Sequence, residues 1–233
     1  TLLLKSFLSS PEALIDTVGE RLKHKRLTGS ELDADAKHDV ELLTRIRAAA
    51  EKVTAKKNTK LARLVALLSQ MGVTHDGSER IVIFSERIAT LELLRDQLSK
   101  ALKLKAQEIA VFHGPLDDQE QQKLVKAFGS EKSAVRILIA SDAASEGINL
   151  HHFCHRLVHY DIPWSLITLE QRNGRIDRYG QTQVPELHYL LSRPSNTELR
   201  GDLRVIDVLI QKEEVAHKNL GDARWLLNLH DAE

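Results

Sequence analysis

Residues 81–84 read Ile-Val-Ile-Phe, and two similar runs follow at 109–112 (Ile-Ala-Val-Phe) and 137–140 (Ile-Leu-Ile-Ala). Each run is apolar at consecutive positions, which indicates a strand that is covered on both faces. Helical patterns of apolar residues separate these runs, and two further strand candidates lie at 157–158 and 187–191. This alternation of strands and helices predicts an α/β fold built on a mostly parallel sheet.

The sequence on either side of these runs divides the chain into three parts. Residues 1–77 read as helices and form a first extension, in which Ser10-Pro11 is typical of a helix start. Residues 78–192 form the α/β lobe. From residue 193 to residue 233 the pattern returns to helix, which forms a second extension. The apolar positions of this last helix are Leu203, Ile206, Val208, Leu209 and Val215.

The charge and cysteine content exclude several classes of protein. Lys and Arg number 33 and Asp and Glu also number 33, so the overall charge does not point to nucleic acid or to a membrane surface. No apolar run approaches the length of a membrane span. Cys154 is the only cysteine, which excludes an intrachain disulfide. The histidines at 151, 152, 155 and 159 match no zinc-binding spacing, so we expect no metal site but a polar loop beside a buried thiol.

The stretch Gln-Arg-Asn-Gly-Arg-Ile-Asp-Arg-Tyr-Gly-Gln, at residues 171–181, carries the most chemistry. If it is helical through Arg178, then Gln171, Arg175 and Arg178 lie on one face. Two guanidinium groups on a shared face suit a polyphosphate. The competing interpretation, a solvated face of surface salt bridges, carries about equal weight on this stretch alone. Arg172 lies off the shared face, so we expect it to tolerate replacement better.

Small residues follow two of the strand candidates. Residues 141–150 read Ser-Asp-Ala-Ala-Ser-Glu-Gly-Ile-Asn-Leu directly after the third apolar run. Residues 160–164 read Tyr-Asp-Ile-Pro-Trp, ten residues before the arginine-rich stretch. In a parallel α/β sheet, ligands bind beyond the carboxyl ends of the strands, so these segments are candidate binding loops.

These segments, taken in order, resemble the second RecA-like lobe of a superfamily 2 helicase. The resemblance is to the Swi/Snf branch and its bacterial RapA-like members, and it implies a three-layer lobe. Residues 81–85 resemble motif IV, and His113-Gly114 resembles the next block. Residues 141–150 resemble motif V, residues 161–164 the block after it, and residues 171–181 motif VI. The ending Arg-Tyr-Gly-Gln is typical of the Swi/Snf branch.

The resemblance implies a role for individual residues. Arg175 and Arg178 match the arginine fingers that reach the γ-phosphate, and Gln171 matches the residue that helps to couple nucleotide to movement. The residues that match nucleotide-binding positions are Glu146, Gly147 and Asn149. The residues that match nucleic-acid-binding positions are Ser85, His113, Gly114, Ser141 and Trp164.

The resemblance implies half of an ATP hydrolase that moves on double-stranded DNA in the bacterial cytosol or nucleoid. ATP and Mg²⁺ would be held mainly by the first RecA-like lobe of the same polypeptide. No Gly-Lys-Ser/Thr phosphate loop occurs in this chain, so we expect the isolated chain to be inactive. Two alternatives remain open: an RNA helicase lobe of the same superfamily and a non-catalytic interaction module. We expect no membrane partner.

Overall fold

The computed structural model describes residues 2–24, 33–114, 118–130, 133–142, 150–196, 198–199 and 201–227. The helices are α1 (Leu2–Ser9), α2 (Pro11–Leu22), α3 (Ala34–Glu51), α4 (Thr59–Gln70), α5 (Ile88–Leu102), α6 (Asp118–Gly129), α7 (Leu166–Asn173) and α8 (Asp202–Leu227). The strands are β1 (Ile81–Phe84), β2 (Ile109–Phe112), β3 (Ile137–Ala140), β4 (Arg156–His159) and β5 (Glu186–Tyr189).

The five strands form one sheet in the order β2-β3-β1-β4-β5. Every pairing in it is parallel, and Ile81 lies opposite Ile137 in the central pair. The prediction of an α/β fold with a largely parallel sheet is confirmed, and so is each of the five strand candidates. Because all strands point the same way, their carboxyl ends meet at one edge of the sheet.

Hydrophobic residues cover the sheet on both faces, as the consecutive apolar runs predicted. Ile81 and Ile83 of β1 face one core, which α4 and α5 complete with leucines such as Leu64 and Leu94. Val82 and Phe84 face a second core on the opposite side. That second core is completed by Phe128 of α6 and by Leu150, Cys154 and Ile176. All these side chains are at most 4% exposed, so the lobe has three layers.

The first three helices form a helical head that packs on the lobe. Pro11 opens α2, and the Ser10 hydroxyl accepts a hydrogen bond from the Ala13 amide at 3.0 Å, which confirms the predicted helix start. Leu14 and Val18 of α2 pack against Leu43 of α3. α4 also lies within residues 1–77, yet its apolar face belongs to the core of the lobe.

The predicted helix after β5 is α8, but its apolar positions do not form a buried stripe. Leu209 is 3% exposed, whereas Leu203 and Val215 are 45% and 58% exposed. Leu203 and Val215 therefore lie at the surface and not in a core. Where the structure describes the chain, no helix is both long enough and apolar enough to cross a membrane.

Candidate functional site

The carboxyl edge of the sheet holds several predicted site residues in register. Backbone hydrogen bonds continue one residue past the strands: the Ser85 amide donates to Ala140 at 3.1 Å and the Ser141 amide to Phe112 at 2.9 Å. His113 follows β2, which is the neighbour of β3. The edge therefore brings Ser85, His113 and Ser141 together from strands that are far apart in sequence.

The arginine-rich stretch 171–181 is not helical throughout. Helix α7 ends at Asn173, and the chain continues through turns in which the Ile176 and Asp177 amides donate to the Asn173 carbonyl at 3.1 and 2.9 Å. The condition for a shared face, a helix through Arg178, is therefore not met. The chain leaves the helix at Gly174, and Ile176 enters the second core with no exposed surface. Gln171 and the two arginines therefore do not share a helical face.

Contacts at several points anchor this turn, which we call the arginine turn and define as residues 174–181. Ile176 is packed in the core, and the Arg175 carbonyl accepts a hydrogen bond from the Leu150 amide at 3.1 Å. The Gln181 side-chain amide donates to the carbonyls of Cys154 and Ile176 at 3.1 and 3.0 Å. Gly180 has a φ of +94°, which favours glycine at this position. The turn is thus held in one shape against the sheet.

The arginine turn exposes charged and aromatic groups to solvent. Arg178 is exposed, Arg175 is half-buried, and Tyr179 has no burial at all, with a relative exposure of 101%. Gln171, on the last turn of α7, is also exposed. The structure therefore keeps the three predicted catalytic side chains within one short segment, although on two different elements.

Arg172 is the largest fully buried side chain of the described residues, with 1% exposure. Its Nε and Nη2 donate to the two carboxylate oxygens of Asp142 at 2.5 and 2.8 Å. Its Nη1 donates to the carbonyl of Asp161 at 2.8 Å, and the guanidinium lies 5.4 Å from the Phe84 ring centroid. The expectation that Arg172 tolerates replacement is wrong in structural terms, because its loss would leave buried partners unpaired.

The sequence contains an indication that Arg172 is buried. Arg172 stands three residues after Leu169, which is also partly buried, so the two side chains lie on one face of α7. Asp142, two residues past a buried strand, supplies a carboxylate at the same edge. A basic residue on an inward face requires such a partner.

Ser85 is fully buried, so the prediction that it contacts nucleic acid has to be corrected. Its hydroxyl donates to the Asp161 carboxylate at 2.5 Å. The same carboxylate oxygen accepts from the Ser9 hydroxyl and from the Glu86 amide, each at 3.0 Å. Because Ser9 ends α1, the helical head covers this part of the edge, and Ser85 has a structural role.

The other predicted nucleic-acid-binding residues differ in how accessible they are. Gly114 is exposed and His113 is half-buried. Ser141 is 7% exposed, and its hydroxyl has no hydrogen-bond partner within the described part of the chain. Trp164 is half-buried, with the Lys5 ammonium 5.6 Å from the centroid of its ring. The predicted nucleotide-binding residues Glu146, Gly147 and Asn149 lie outside the described residues.

Burial controls the protonation of the groups beneath the arginine turn. Burial, reinforced by the positive charge of Arg172, lowers the pKa of His159 to about 3. His159 stacks on Tyr189 with ring centroids 4.7 Å apart, and its Nε2 lies 2.8 Å from the Asn173 Oδ1. Burial also raises the pKa of the Cys154 thiol to about 12, so this thiol is the buried one that the sequence predicted. These groups are neutral packing elements.

The described residues fit an anionic ligand better than a metal ion. No group of three or more His, Cys, Asp or Glu side chains in the described ranges is arranged to hold a metal. Asp142 is engaged by Arg172, and Asp161 is engaged by Ser85 and Ser9. Exposed guanidinium groups on a rigid turn fit phosphate oxygens. The arginine turn is therefore a candidate site for an anionic ligand such as a phosphate.

Comparisons with known proteins identify the family and the fold. The family model described as helicase conserved C-terminal domain matches residues 57–180. A Bacillus subtilis (strain 168) protein named uncharacterized ATP-dependent helicase YqhH is 27% identical over 214 residues, which cover 92% of this chain and 34% of that protein. The RNA polymerase-associated protein RapA of Vibrio atlanticus (strain LGP32) is 34% identical over 111 residues, 48% of this chain and 11% of that protein.

Among solved structures, the crystal structure of the C-terminal part of the Fun30 ATPase domain has a similar fold. Its TM-score is 0.50 at 17% identity, and the match covers 90% of this chain and 77% of that one. The chain spans about a third of the length of the Bacillus relative and about a ninth of the Vibrio relative. The likeness to Fun30 concerns the fold alone.

Proposed function

Because this chain belongs to the helicase conserved C-terminal domain family, we propose that it is the C-terminal motor lobe of an ATP-dependent translocase that acts on double-stranded DNA. Its fold is the RecA-like lobe of superfamily 2 helicases, with helices on both faces of a parallel sheet. In the intact polypeptide, ATP would bind in the cleft between this lobe and a first RecA-like lobe.

The anchored arginine turn is the observation that carries this proposal. Phosphoryl transfer builds negative charge on the transferring group, and preorganised guanidinium groups stabilise that charge. Arg175 and Arg178 stand on a turn that core packing and hydrogen bonds hold in place. We assign them the role of arginine fingers, and we assign Gln171 a role in coupling nucleotide to movement.

The first lobe would supply what this chain lacks. That lobe would hold the Mg²⁺ ion, which would supply positive charge against the phosphates of ATP. The sequence contains no Gly-Lys-Ser/Thr loop to cradle the phosphates. This lobe would contribute Arg175, Arg178 and the segment around Gly147. The isolated chain is therefore expected to show no ATP turnover.

The nucleic-acid surface would lie along the same carboxyl edge. After the correction for Ser85, the candidates are His113, Gly114, Ser141 and Trp164. We propose double-stranded DNA as the substrate instead of RNA, because the ending Arg-Tyr-Gly-Gln resembles that of the Swi/Snf branch. Such a surface would contact the phosphate backbone, so binding by this lobe should be weak, independent of sequence and sensitive to salt.

The test is steady-state ATP turnover by the full-length protein with double-stranded DNA, double-stranded RNA or no nucleic acid. We expect stimulation by DNA of any sequence, and no turnover by the isolated chain under the same conditions. Stimulation by RNA alone would instead support an RNA helicase. Absence of turnover with every nucleic acid would contradict the proposal and favour an interaction module.

A further inference from the structure

We propose that Asp142 and Arg172 form a latch that makes the position of the arginine turn depend on Ser141 and Asp142, the two residues directly after β3. In this role Arg172 is a positioning residue, since it acts through Arg175 and Arg178 and touches no substrate itself. The inference rests on the proposed function, because it assigns a means of regulation to the same site.

Arg172 and Asp142 form a two-point contact between a buried and a partly exposed side chain. The two contacts of Arg172 with Asp142 are parallel and bidentate, at 2.5 and 2.8 Å. This arrangement fixes the orientation of the carboxylate as well as its distance. The Arg172 side chain is 1% exposed, whereas the Asp142 side chain is 32% exposed. One partner is thus locked in the core, and the other lies at the surface of the edge.

The ends of three strands converge on the buried guanidinium of Arg172. Asp142 lies just past β3, the Asp161 carbonyl lies just past β4, and Phe84 is the last residue of β1. Asn173, the residue after Arg172, is tied to His159 of β4. The end of α7 is therefore fixed by contacts that come from the sheet edge.

Only Asn173 separates Arg172 from the first residue of the arginine turn. Gly174 follows Asn173 directly, and the amide of Gly174 still donates to the Glu170 carbonyl at 2.8 Å. A displacement of Arg172 would therefore be carried into residues 174–178. In the other direction, Ser141 precedes Asp142 and is a candidate contact for nucleic acid. Nucleic acid bound at Ser141 would thus act on the arginine turn through Asp142 and Arg172.

A purely structural role makes a different prediction from a latch. Loss of a structural contact lowers the amount of folded enzyme and reduces every rate by the same factor. Loss of a latch reduces turnover most where nucleic acid controls it, and the two partners then act as a unit. The ratio of DNA-stimulated to unstimulated turnover separates these two cases.

The experiment uses the full-length protein with the variants Asp142→Asn, Arg172→Lys and both together. The first keeps the shape of the side chain, and the second keeps the charge of Arg172 but loses the two-point contact. Arg47→Lys and Glu51→Gln are the matched control, because these residues form an exposed ion pair on α3. The kcat and KM for ATP are measured with and without saturating double-stranded DNA, alongside thermal unfolding.

We expect each latch variant to lower the stimulation ratio by about tenfold, which is a typical size for coupling between two sites. The KM for ATP should stay within about twofold of the wild-type value, and the double variant should be no worse than the more affected single variant. The control variants should match the wild-type protein. An unchanged ratio, or an equal fall in stimulated and unstimulated turnover, would overturn the latch.

The outcomes also separate this inference from the proposed function. Wild-type protein without DNA-stimulated turnover would overturn the proposed function, and the latch would fall with it. An active wild-type protein whose latch variants keep the normal ratio would overturn the latch alone.

Discussion

Helix α7 and the arginine turn are adjacent segments of eight residues each, and they place the same residue types in opposite environments. On α7, Arg172 is buried and paired on every side with groups from the sheet edge. On the turn, Arg178 is exposed and lies next to the fully exposed Tyr179. The two arginines are six positions apart in sequence, yet one is part of the core and the other faces solvent.

The difference shows that an arginine-rich motif is not a single unit. Helix α7 is the fixed base of the motif, because Arg172 and Asn173 are hydrogen-bonded to residues at the ends of strands. The turn supplies the groups that can meet a ligand, because its anchors leave Arg178 exposed and Arg175 half-buried. A substitution on the base should therefore act on folding and coupling, whereas a substitution on the turn should act on chemistry.

The largest effect is expected for Arg178→Ala in the full-length protein. If Arg178 is an arginine finger, DNA-stimulated kcat should fall by about 10³–10⁵, because the guanidinium acts mainly on transition-state charge. ATP affinity should change much less. Arg178→Lys should rescue poorly, since a point charge cannot reproduce a planar two-donor contact. Steady-state turnover and nucleotide binding measure both effects.

Arg45→Ala is the matched control for this substitution, because Arg45 is an exposed arginine on α3. It should leave turnover and ATP affinity unchanged. Both alanine variants should unfold within about 0.5 kcal/mol of the wild-type protein, since both residues are exposed. Near-normal turnover of Arg178→Ala would show that the turn is structural and would refute the comparison drawn above.

A smaller effect, on stability, is expected for His159, which lies on β4 and contacts the end of α7. Burial holds the pKa of His159 at about 3, below its ordinary value of 6.5. Between these two values the unfolded chain binds a proton that the folded chain does not, so stability falls as the pH falls below 6.5. The contribution of His159 to this loss is at most about 5 kcal/mol.

The measurement is the free energy of unfolding by denaturant between pH 7 and pH 5 for wild-type protein and His159→Gln. Glutamine keeps a hydrogen-bonding group but does not titrate, so the variant should lose stability less steeply on acidification. His38→Gln, at an exposed position on α3, should keep the wild-type slope. Equal slopes for all three proteins would show that His159 is not held neutral beneath α7.

Much of the fold could be predicted from residues that are close together in the sequence. The strands were predicted because runs such as 81–84 and 137–140 are apolar at consecutive positions, which only burial on both faces explains. The start of α2 was predicted because Ser10 and Pro11 have a local capping chemistry. These features depend on neighbours in sequence, so they can be recognised without a structure.

The errors all depend on contacts between distant segments. The end of α7 was missed because Gly174 is tolerated within a helix, and only the packing of Ile176 in the second core draws the chain away. The burial of Arg172 depends on Asp142, 30 residues earlier. The burial of Ser85 depends on α1, whose Ser9 is 152 residues from Asp161. The types of the neighbouring residues do not indicate whether a distant segment will bury a side chain.

The smallest effect is expected for Gln181→Ala, which removes an anchor of the arginine turn and no charge. The Gln181 amide donates to the carbonyls of Cys154 and Ile176, and its oxygen accepts from the Gln183 amide at 3.1 Å. Loss of these bonds should cost about 1–2 kcal/mol in the free energy of unfolding, measured by denaturant titration. Gln183→Ala is the matched control: its side chain is exposed, and its backbone amide is retained. An equal loss of stability in both variants would show that the Gln181 side chain does not anchor the turn. The anchors of the turn would then be the packing of Ile176 and the backbone hydrogen bond from Leu150.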